Sequence, residues 1–160
     1  MIETGKPAPA FDMPDDSGGR VRLRDFRGGV LVVYFYPKDD TSGCTLEAQQ
    51  FSDLAAEFGA LGARIVAVSP DSVASHCKFR DKYNLKVILA SDPDHALCQA
   101  YGVWVEKSMY GRKYMGVERT TVLIDAKGRI ARIWPKVRVP GHAGELLAAV
   151  RALVEPKAKT

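Results

Sequence analysis

The sequence predicts an α/β fold in which helices flank a mixed central sheet. Three apolar, β-branched runs have the composition of strands that are buried on both faces: residues 30–36, 63–69 and 87–91. A segment with helical spacing or a helix cap follows each run, and this alternation is typical of parallel strands joined by helices. A hairpin pattern nearer the C-terminus adds antiparallel strands, so we expect the sheet to be mixed.

The N-terminal half contains the first elements. The first 29 residues are rich in Pro, Gly and Asp, with a turn at 15–19 (DDSGG), and predict an extended or hairpin extension ahead of the sheet. Residues 45–60 carry apolar side chains at helical spacing, which predicts a helix after the first strand. Asp71 and Ser72 can cap a second helix that ends at about Tyr83.

The C-terminal half completes the pattern. Residues 92–102 begin with Asp-Pro and stop at a glycine, as a short helix does. The segments 118–125 and 129–135 are predicted to pair across the turn AKG, and 143–154 form the last helix. Residues 106–118 are expected to form a loop or hairpin.

Length and charge set the broad class. The chain has 160 residues, which suits one domain over 1–160, with 155–160 as a frayed, solvated tail. The formal net charge is only +4. The densest basic stretch, GRVRLRDFRG (19–28), alternates arginines with apolar residues and lacks interleaved stacking aromatics, so a solvated strand face is favoured over nucleic-acid binding. Glycine-rich phosphate loops are absent.

The sequence shows no targeting signal, and this observation together with the cysteine usage predicts a cytoplasmic protein with reduced thiols. Residues 1–6 are polar, and no apolar run approaches the roughly 20 residues that span a membrane. The three cysteines include no CxxC pair and no CxH cluster, which argues against a disulfide framework and against zinc. Each cysteine is therefore expected to be either reactive or a small buried hydrophobe.

Cys44 is the cysteine whose position indicates chemistry. It follows the loop PKDDTSG, at the point where a buried strand has ended and a helix begins. Unpaired N–H groups and the positive dipole at a helix start favour a thiolate over a thiol. The alternative, a cysteine kept for packing, fits less well because its flanks, Ser42-Gly43 and Thr45, are small and polar.

The segment from Pro37 to Cys44 resembles PxxxTxxC, the active-site pattern of peroxiredoxins. The longer stretch FYPKDDTSGCTLEA is similar to the peroxiredoxin Q subfamily, the bacterioferritin comigratory proteins. The resemblance continues through VSPDS, SHCKF, GVERTTVLID and VPGHA, and so covers nearly the whole chain. It implies a thioredoxin-like fold of the peroxiredoxin type and a peroxidase that reduces hydrogen peroxide or alkyl hydroperoxides without a cofactor or metal.

The resemblance also implies roles for individual residues. Cys44 is the peroxidatic cysteine, Thr41 hydrogen-bonds the peroxide, Pro37 shields the site, and Arg119 in GVERTT is the active-site arginine. Arg119 beside the sulfur would stabilise the thiolate and the charge that moves to the leaving oxygen. Glu47, one helical turn after Cys44, can accept from Arg119 and hold its guanidinium in place.

The resolving cysteine departs from the subfamily pattern. The two positions at which relatives carry it are Gln49 and, by our alignment, Arg80 in this chain. Three alternatives remain open. In the first, Cys77, one turn before Arg80 on roughly the same face, is a displaced resolving cysteine. In the second, the enzyme works with Cys44 alone and an external thiol. In the third, Cys98 is the resolving cysteine, although its apolar surroundings favour a buried hydrophobe.

The leading prediction is a monomeric thiol peroxidase that takes a hydroperoxide substrate and is recycled by thioredoxin or a similar thiol. A redox sensor or holdase that uses the same cysteine is the main alternative, and it would be oxidised once without turning over. A dithiol–disulfide oxidoreductase is disfavoured because Thr41 stands where a CxxC motif would have its other sulfur.

The histidines and three large aromatic residues are predicted to have structural roles. His76, His95 and His142 lack carboxylates or cysteines at ligand spacing and are predicted to be solvated or capping residues. Trp104, Tyr110 and Trp134 are predicted to be packing residues, with the alternative that Met109 or Tyr110 lines an apolar patch for alkyl peroxides.

Overall fold

The computed structural model describes residues 2–154, and the predicted frayed tail at 155–160 lies outside them. The strands among these residues are β1 (Asp12–Pro14), β2 (Arg20–Arg22), β3 (Val30–Phe35), β4 (Ala63–Ser69), β5 (Ile88–Ser91), β6 (Trp104–Met109), β7 (Arg112–Val117), β8 (Thr120–Ile124) and β9 (Ile130–Trp134). The helices are α1 (Ser42–Asp53), α2 (Ala55–Ala60), α3 (Val73–Tyr83), α4 (Ala96–Ala100) and α5 (His142–Val154). None of the helices within 2–154 is long and apolar enough to cross a membrane.

The central sheet is mixed, which confirms the predicted fold class. Its strand order is β5-β4-β3-β8-β9. Strands β3, β4 and β5 run parallel, whereas β8 pairs antiparallel with both β3 and β9. Strand β3 is therefore the middle strand, and every one of its side chains is buried. This position fixes the start of the loop that leads to Cys44.

The sheet is covered on both faces. Alternate residues of β3 point to opposite sides: Val32 and Tyr34 join the apolar cluster that includes side chains of α1, α2, α3 and α5. Leu31, Val33 and Phe35 join the cluster formed with the N-terminal extension and α4. A strand that needs apolar residues on both faces reads as a continuous apolar run, which is why the sequence revealed it.

The N-terminal extension is a hairpin, as expected. Strands β1 and β2 pair antiparallel outside the central sheet. Asp12 accepts hydrogen bonds from the side chains of Arg20 and Arg22 on the facing strand. Val21 between these arginines is buried, so the alternation of the sequence separates a solvated face from a packed one.

The helix predicted over 45–60 is two helices in the structure. Helix α1 begins at Ser42, three residues earlier than predicted, and ends at Asp53. Leu54 departs from helical geometry with φ −101° and ψ 4°, after which α2 begins. Phe51 and Phe58 on either side of this break both enter the core, with ring centroids 6.0 Å apart. Helical spacing did not predict that these two rings pack together.

The segment 106–118 contributes to a two-stranded hairpin, β6–β7, whose turn lies at Tyr110-Gly111. The prediction that Tyr110 packs is wrong, because its side chain is 98% exposed at this turn. Trp104 is half-buried and stacks on His95 with 3.8 Å between ring centroids, and Trp134 is buried. Tyr110 and Gly111 both have positive φ, as a two-residue hairpin turn requires, and this position at the tip of the hairpin leaves the Tyr110 side chain in solvent.

Candidate active site

Cys44 lies in the first turn of α1, beyond the C-terminal end of β3. Its side chain is only 1% exposed, and it joins the apolar cluster on the α1 face of the sheet. The residue before the helix, Thr41, is in an extended conformation and makes no side-chain cap to it. The helix start therefore presents its N–H groups and its positive dipole end at the position of the sulfur.

Arg119 connects Cys44 to Glu47. Its Nη2 donates to Cys44 Sγ at 3.4 Å, and its Nη1 donates to Glu47 Oε1 at 2.6 Å. Arg119 lies between β7 and β8, and its carbonyl accepts from the N–H of Val137. Because the two ends of the guanidinium bind different partners, its orientation toward the sulfur is fixed.

Burial and neighbouring charges shift the pKa values of Glu47 and Arg119. Burial raises the pKa of Glu47 to about 7, although the charge and hydrogen bond of Arg119 act in the opposite direction. For Arg119, burial opposes the charged form, but the neighbouring Glu47 and Cys44 outweigh it and raise its pKa. Arg119 therefore stays a cation beside the sulfur.

Gly43 makes this close approach sterically feasible. A Cβ atom on Gly43 would lie 3.3 Å from Nη2 of Arg119, which is tighter than an ordinary van der Waals contact. The missing side chain thus leaves the space that the guanidinium occupies beside Cys44. The sequence placed Gly43 next to the cysteine but gave no indication that an arginine 76 residues later fills this space.

Pro37 and Thr41 lie in the loop between β3 and α1. Pro37 is half-buried and follows Tyr36, and Thr41 is exposed. The Thr41 hydroxyl donates to the Lys38 carbonyl at 2.9 Å, within the loop itself. This bond uses the hydroxyl proton and leaves the oxygen able to accept a hydrogen bond from a bound molecule.

The other two cysteines differ from Cys44 in their surroundings. All three are free thiols. Cys77, on α3, is half-buried, and its Sγ lies 3.4 Å from the carbonyl oxygen of Asp16. Cys98, on α4, is fully buried, and burial followed by Asp92 raises the pKa of its thiol. Cys98 thus has the environment of an inert structural thiol.

The solvated-histidine prediction is wrong for His76 and His142, which are both buried. His142 lies between Thr121 and Glu145. His76 lies within hydrogen-bond distance of Asp39, a residue of the PKDDT loop that the sequence had left without a role. The histidine and the aspartate are 37 residues apart, so sequence spacing carried no signal of this contact.

A single group of three ligand-bearing residues within 2–154 could share a cation: Asp39, Asp71 and His76, whose ligand atoms lie within 4.8 Å of one another. Both ring nitrogens of His76 face oxygen atoms, Asp39 Oδ2 and the Ala90 carbonyl. Acceptors on both sides favour the ring form in which both nitrogens carry protons, and in that form neither nitrogen offers a lone pair to a metal. The geometry fits a hydrogen-bonded ion pair.

A family model described as the AhpC/TSA family matches residues 4–133. The chain belongs to the AhpC/TSA family. Among curated members, it is 47% identical over 146 residues to a putative peroxiredoxin bcp of Coxiella burnetii, covering 91% of this chain and 97% of that one. It is 45% identical over 154 residues to peroxiredoxin Bcp of Bacillus subtilis, covering 96% and 98%.

Solved structures of similar proteins agree with the fold. The bacterioferritin comigratory protein of Xanthomonas campestris, described with an alkyl peroxide reduction activity, superposes with a TM-score of 0.89 at 42% identity, covering 95% of this chain and 99% of that one. A Cys-to-Ser mutant of Xylella fastidiosa PrxQ gives a TM-score of 0.91 at 36% identity, covering 96% and 98%. This likeness confirms the thioredoxin-like fold of the peroxiredoxin type.

Proposed function

We propose that this AhpC/TSA-family protein is a thiol-dependent peroxidase that reduces hydrogen peroxide and organic hydroperoxides through Cys44. The observation that carries the proposal is the contact of Arg119 Nη2 with Cys44 Sγ at 3.4 Å, at the N-terminus of α1. A cation and a helix start together favour a thiolate nucleophile. The names of the relatives, peroxiredoxins, and the alkyl peroxide reduction described for the Xanthomonas protein support the same chemistry.

The chemical step is a displacement at oxygen. The Cys44 thiolate attacks one peroxide oxygen, the S–O bond forms as the O–O bond breaks, and the leaving oxygen takes a proton to become water or an alcohol. Cys44 becomes a sulfenic acid. Arg119 stabilises the charge that develops on the leaving oxygen, and Glu47 holds Arg119 in position. In this proposal the Thr41 hydroxyl oxygen accepts a hydrogen bond from the peroxide, and Pro37 shields the site from water.

Cys77 is the thiol that we assign to resolve the sulfenic acid. Its thiolate attacks Cys44 Sγ, forms a disulfide and releases water, and a reductant of the thioredoxin type then exchanges with that disulfide. The half-buried position of Cys77, compared with the fully buried Cys98, supports this choice. Since Cys77 contacts Asp16 and Cys44 contacts Arg119 in the reduced protein, the helices that carry them must move for the bond to form.

We also propose the location, the oligomeric state and the cofactor requirement. The protein acts as a cytoplasmic monomer with one domain over 1–160, and it needs no cofactor because the sulfur performs the reaction. Sedimentation of the reduced protein at the 17.5 kDa of one chain would support the monomer. A concentration-dependent shift to twice that mass would overturn it.

Turnover tests the function. The reduced protein is supplied with NADPH, thioredoxin reductase and thioredoxin, and hydrogen peroxide or cumene hydroperoxide is added. Wild type and Cys98→Ser are expected to consume NADPH over many cycles, whereas Cys44→Ser stays at background. A wild type that consumes one equivalent of peroxide and then stops would instead identify the redox sensor.

Peptide mapping tests the resolving step. After one equivalent of hydrogen peroxide and digestion without reductant, a cross-linked peptide pair containing Cys44 and Cys77 is expected. Sulfenic or sulfinic acid at Cys44 with a free Cys77 thiol would overturn the two-cysteine cycle and indicate an external thiol. Cys77→Ser, which keeps the size of the side chain, should accumulate oxidised Cys44 and lose turnover with thioredoxin.

A further inference from the structure

The loop between β3 and α1 is held by an acidic side chain that turns inward. Asp39 is a buried carboxylate, 7% exposed, five residues before Cys44. Its Oδ1 accepts from the Tyr36 hydroxyl at 2.6 Å, and its Oδ2 accepts from the Ser75 hydroxyl at 2.7 Å. Its backbone N–H donates to Asp71 Oδ2 at 2.8 Å. A buried carboxylate with this many partners fixes the backbone of the loop that carries it.

His76 supplies the opposite charge. Its ring is fully buried, with Nδ1 at 2.8 Å from Asp39 Oδ2 and Nε2 at 3.0 Å from the Ala90 carbonyl. Because both nitrogens face acceptors, this arrangement favours the imidazolium form of the ring, which forms an ion pair with Asp39. This ion pair connects the active-site loop to α3 and, through Ala90, to the edge strand β5 of the sheet.

Asp40 makes a second, outer contact with the same helix. Its carboxylate accepts from Lys82 Nζ at 2.8 Å and from the Tyr83 hydroxyl at 2.6 Å. Asp40 itself has a φ of 60°, a left-handed conformation that a non-glycine residue adopts at some cost. Both aspartates of PKDDT thus bind α3, one in the interior and one at the surface.

We propose that the buried Asp39–His76 ion pair is the positioning element of the peroxidatic loop: it sets the geometry of Thr41 and Cys44 for reaction with peroxide. Neither residue touches the reacting atoms, so both act through the loop between β3 and α1. The role rests on the proposed peroxidase function, but its effect on the loop can be measured without peroxide.

The ion pair gives the loop a dependence on pH. Burial opposes protonation of the ring, but the hydrogen bond and charge of Asp39 outweigh it, and the pKa of His76 is raised. The titratable groups that face the ring are Tyr36, which directly follows β3, Asp39 of the loop and Asp71 of the turn before α3. A raised histidine pKa stabilises the folded loop fully below about pH 6.5, and that stabilisation is lost as pH rises through the folded-state value.

The first measurement is the rate constant for oxidation of the reduced protein by hydrogen peroxide in a single turnover, between pH 6 and 9. His76→Asn and Asp39→Asn are each expected to react about 10-fold or more slowly than wild type at pH 6.5, because small displacements of a nucleophile are costly. The double variant should be no slower than the slower single variant, since the two residues act as one unit. Wild type should show a descending alkaline limb that His76→Asn lacks.

The control removes stability elsewhere. Val150→Ala deletes buried side-chain atoms from α5, a helix that carries neither member of the ion pair, so it should lower the unfolding free energy but keep the wild-type rate constant and pH profile. If Val150→Ala slows the reaction as much as His76→Asn does, or if the two single effects multiply in the double variant, the positioning role is wrong.

Hydrogen exchange separates this proposal from the proposed function. In the reduced protein without peroxide, amides of residues 38–43 should exchange faster in His76→Asn and Asp39→Asn than in wild type or Val150→Ala. Unchanged exchange in both variants overturns the positioning role even if the protein is a peroxidase. Faster exchange in a protein that never consumes peroxide supports the ion pair as the determinant of loop geometry and rejects the peroxidase.

Discussion

At the scale of single residues, the three cysteines show how surroundings decide what a thiol can do. Cys44 lies beside the guanidinium of Arg119, Cys77 lies against a backbone carbonyl, and Cys98 is enclosed next to Asp92. Only the first environment combines a cation with a helix start, the combination that favours a thiolate. The same side chain thus has three different chemical prospects in one fold.

Arg119 should contribute more to the peroxide reaction than any other side chain around Cys44. Arg119→Met is expected to lower kcat/KM for hydrogen peroxide by about 10²- to 10³-fold, the cost of removing one donor that stabilises developing charge. Arg119→Lys keeps a positive charge but cannot bind Cys44 and Glu47 together, so it should recover only part of the loss. Steady-state kinetics at saturating reductant check this, and full activity in Arg119→Lys would show that charge alone suffices.

The surroundings of each thiol should decide its reactivity toward peroxide, so that Cys44 reacts and Cys98 does not. With a small excess of hydrogen peroxide, intact-protein and peptide mass spectrometry should find oxidation at Cys44 and none at Cys98 in the folded protein. In urea, Cys98 should become as accessible to alkylation as the other thiols, because burial is what protects it. Oxidation of Cys98 in the folded state of wild type would contradict this prediction.

At the scale of elements, the start of α1 and the strand-to-strand segment at 118–119 form the site only because the sheet places them side by side. Strand β3 pairs with β8 through residues 31–35 and 120–124, so the last residue of β3 lies opposite the first residue of β8. Cys44 follows the first of these strands, and Arg119 precedes the second. The antiparallel register therefore brings together two residues that are far apart in the sequence.

Gly43→Ala tests the packing between these elements. Alanine in the first turn of α1 should raise the free energy of unfolding slightly, by at most about 1 kcal/mol, because glycine is the poorer helix former. The added Cβ, 3.3 Å from Arg119 Nη2, should displace the guanidinium and lower kcat/KM by about 10-fold. Gly59→Ala in α2, where a Cβ meets nothing within 4 Å, is the matched control and should leave kcat/KM unchanged. Equal kinetics in the two variants would mean that Arg119 adjusts freely.

At the scale of the whole molecule, two apolar layers on one sheet leave the reactive groups buried, and burial of charge makes stability depend on pH. Glu47 is 1% exposed, and among the described residues its only salt-bridge partner is Arg119. Its pKa is raised to about 7 by burial. A carboxyl whose folded-state pKa is raised stabilises the fold fully below its unfolded value, and that contribution is lost as pH rises through the folded value.

Glu47→Gln should remove this dependence. Between about pH 5 and pH 8, the unfolding free energy of wild type should fall relative to that of the variant, because only wild type must keep a buried carboxylate at the higher pH. Urea unfolding of both proteins at the two pH values measures the difference, and other titrating groups, His76 included, cancel in it. A difference that stays the same at both pH values would show that Arg119 fully compensates the charge of Glu47.

The sequence by itself determined the fold class and the reactive cysteine. Continuous apolar runs identify strands buried on both faces, and the PKDDTSGC segment places Cys44 at a helix entrance, because both signals are local in the chain. The resemblance of GVERTT added Arg119. Helix spacing predicted where α2 ends but neither the start of α1 at Ser42 nor the break at Leu54, on either side of which Phe51 and Phe58 enter the core.

Only the tertiary structure decided which distant side chains meet. It placed the Arg119 guanidinium in the space left by Gly43, and it buried His76 against Asp39, whereas the sequence indicated a solvated or capping histidine. The physical reason is that burial and pairing of charges depend on contacts between elements far apart in the chain. Local periodicity reports which face of an element is apolar but not which polar group the folded sheet brings opposite to it.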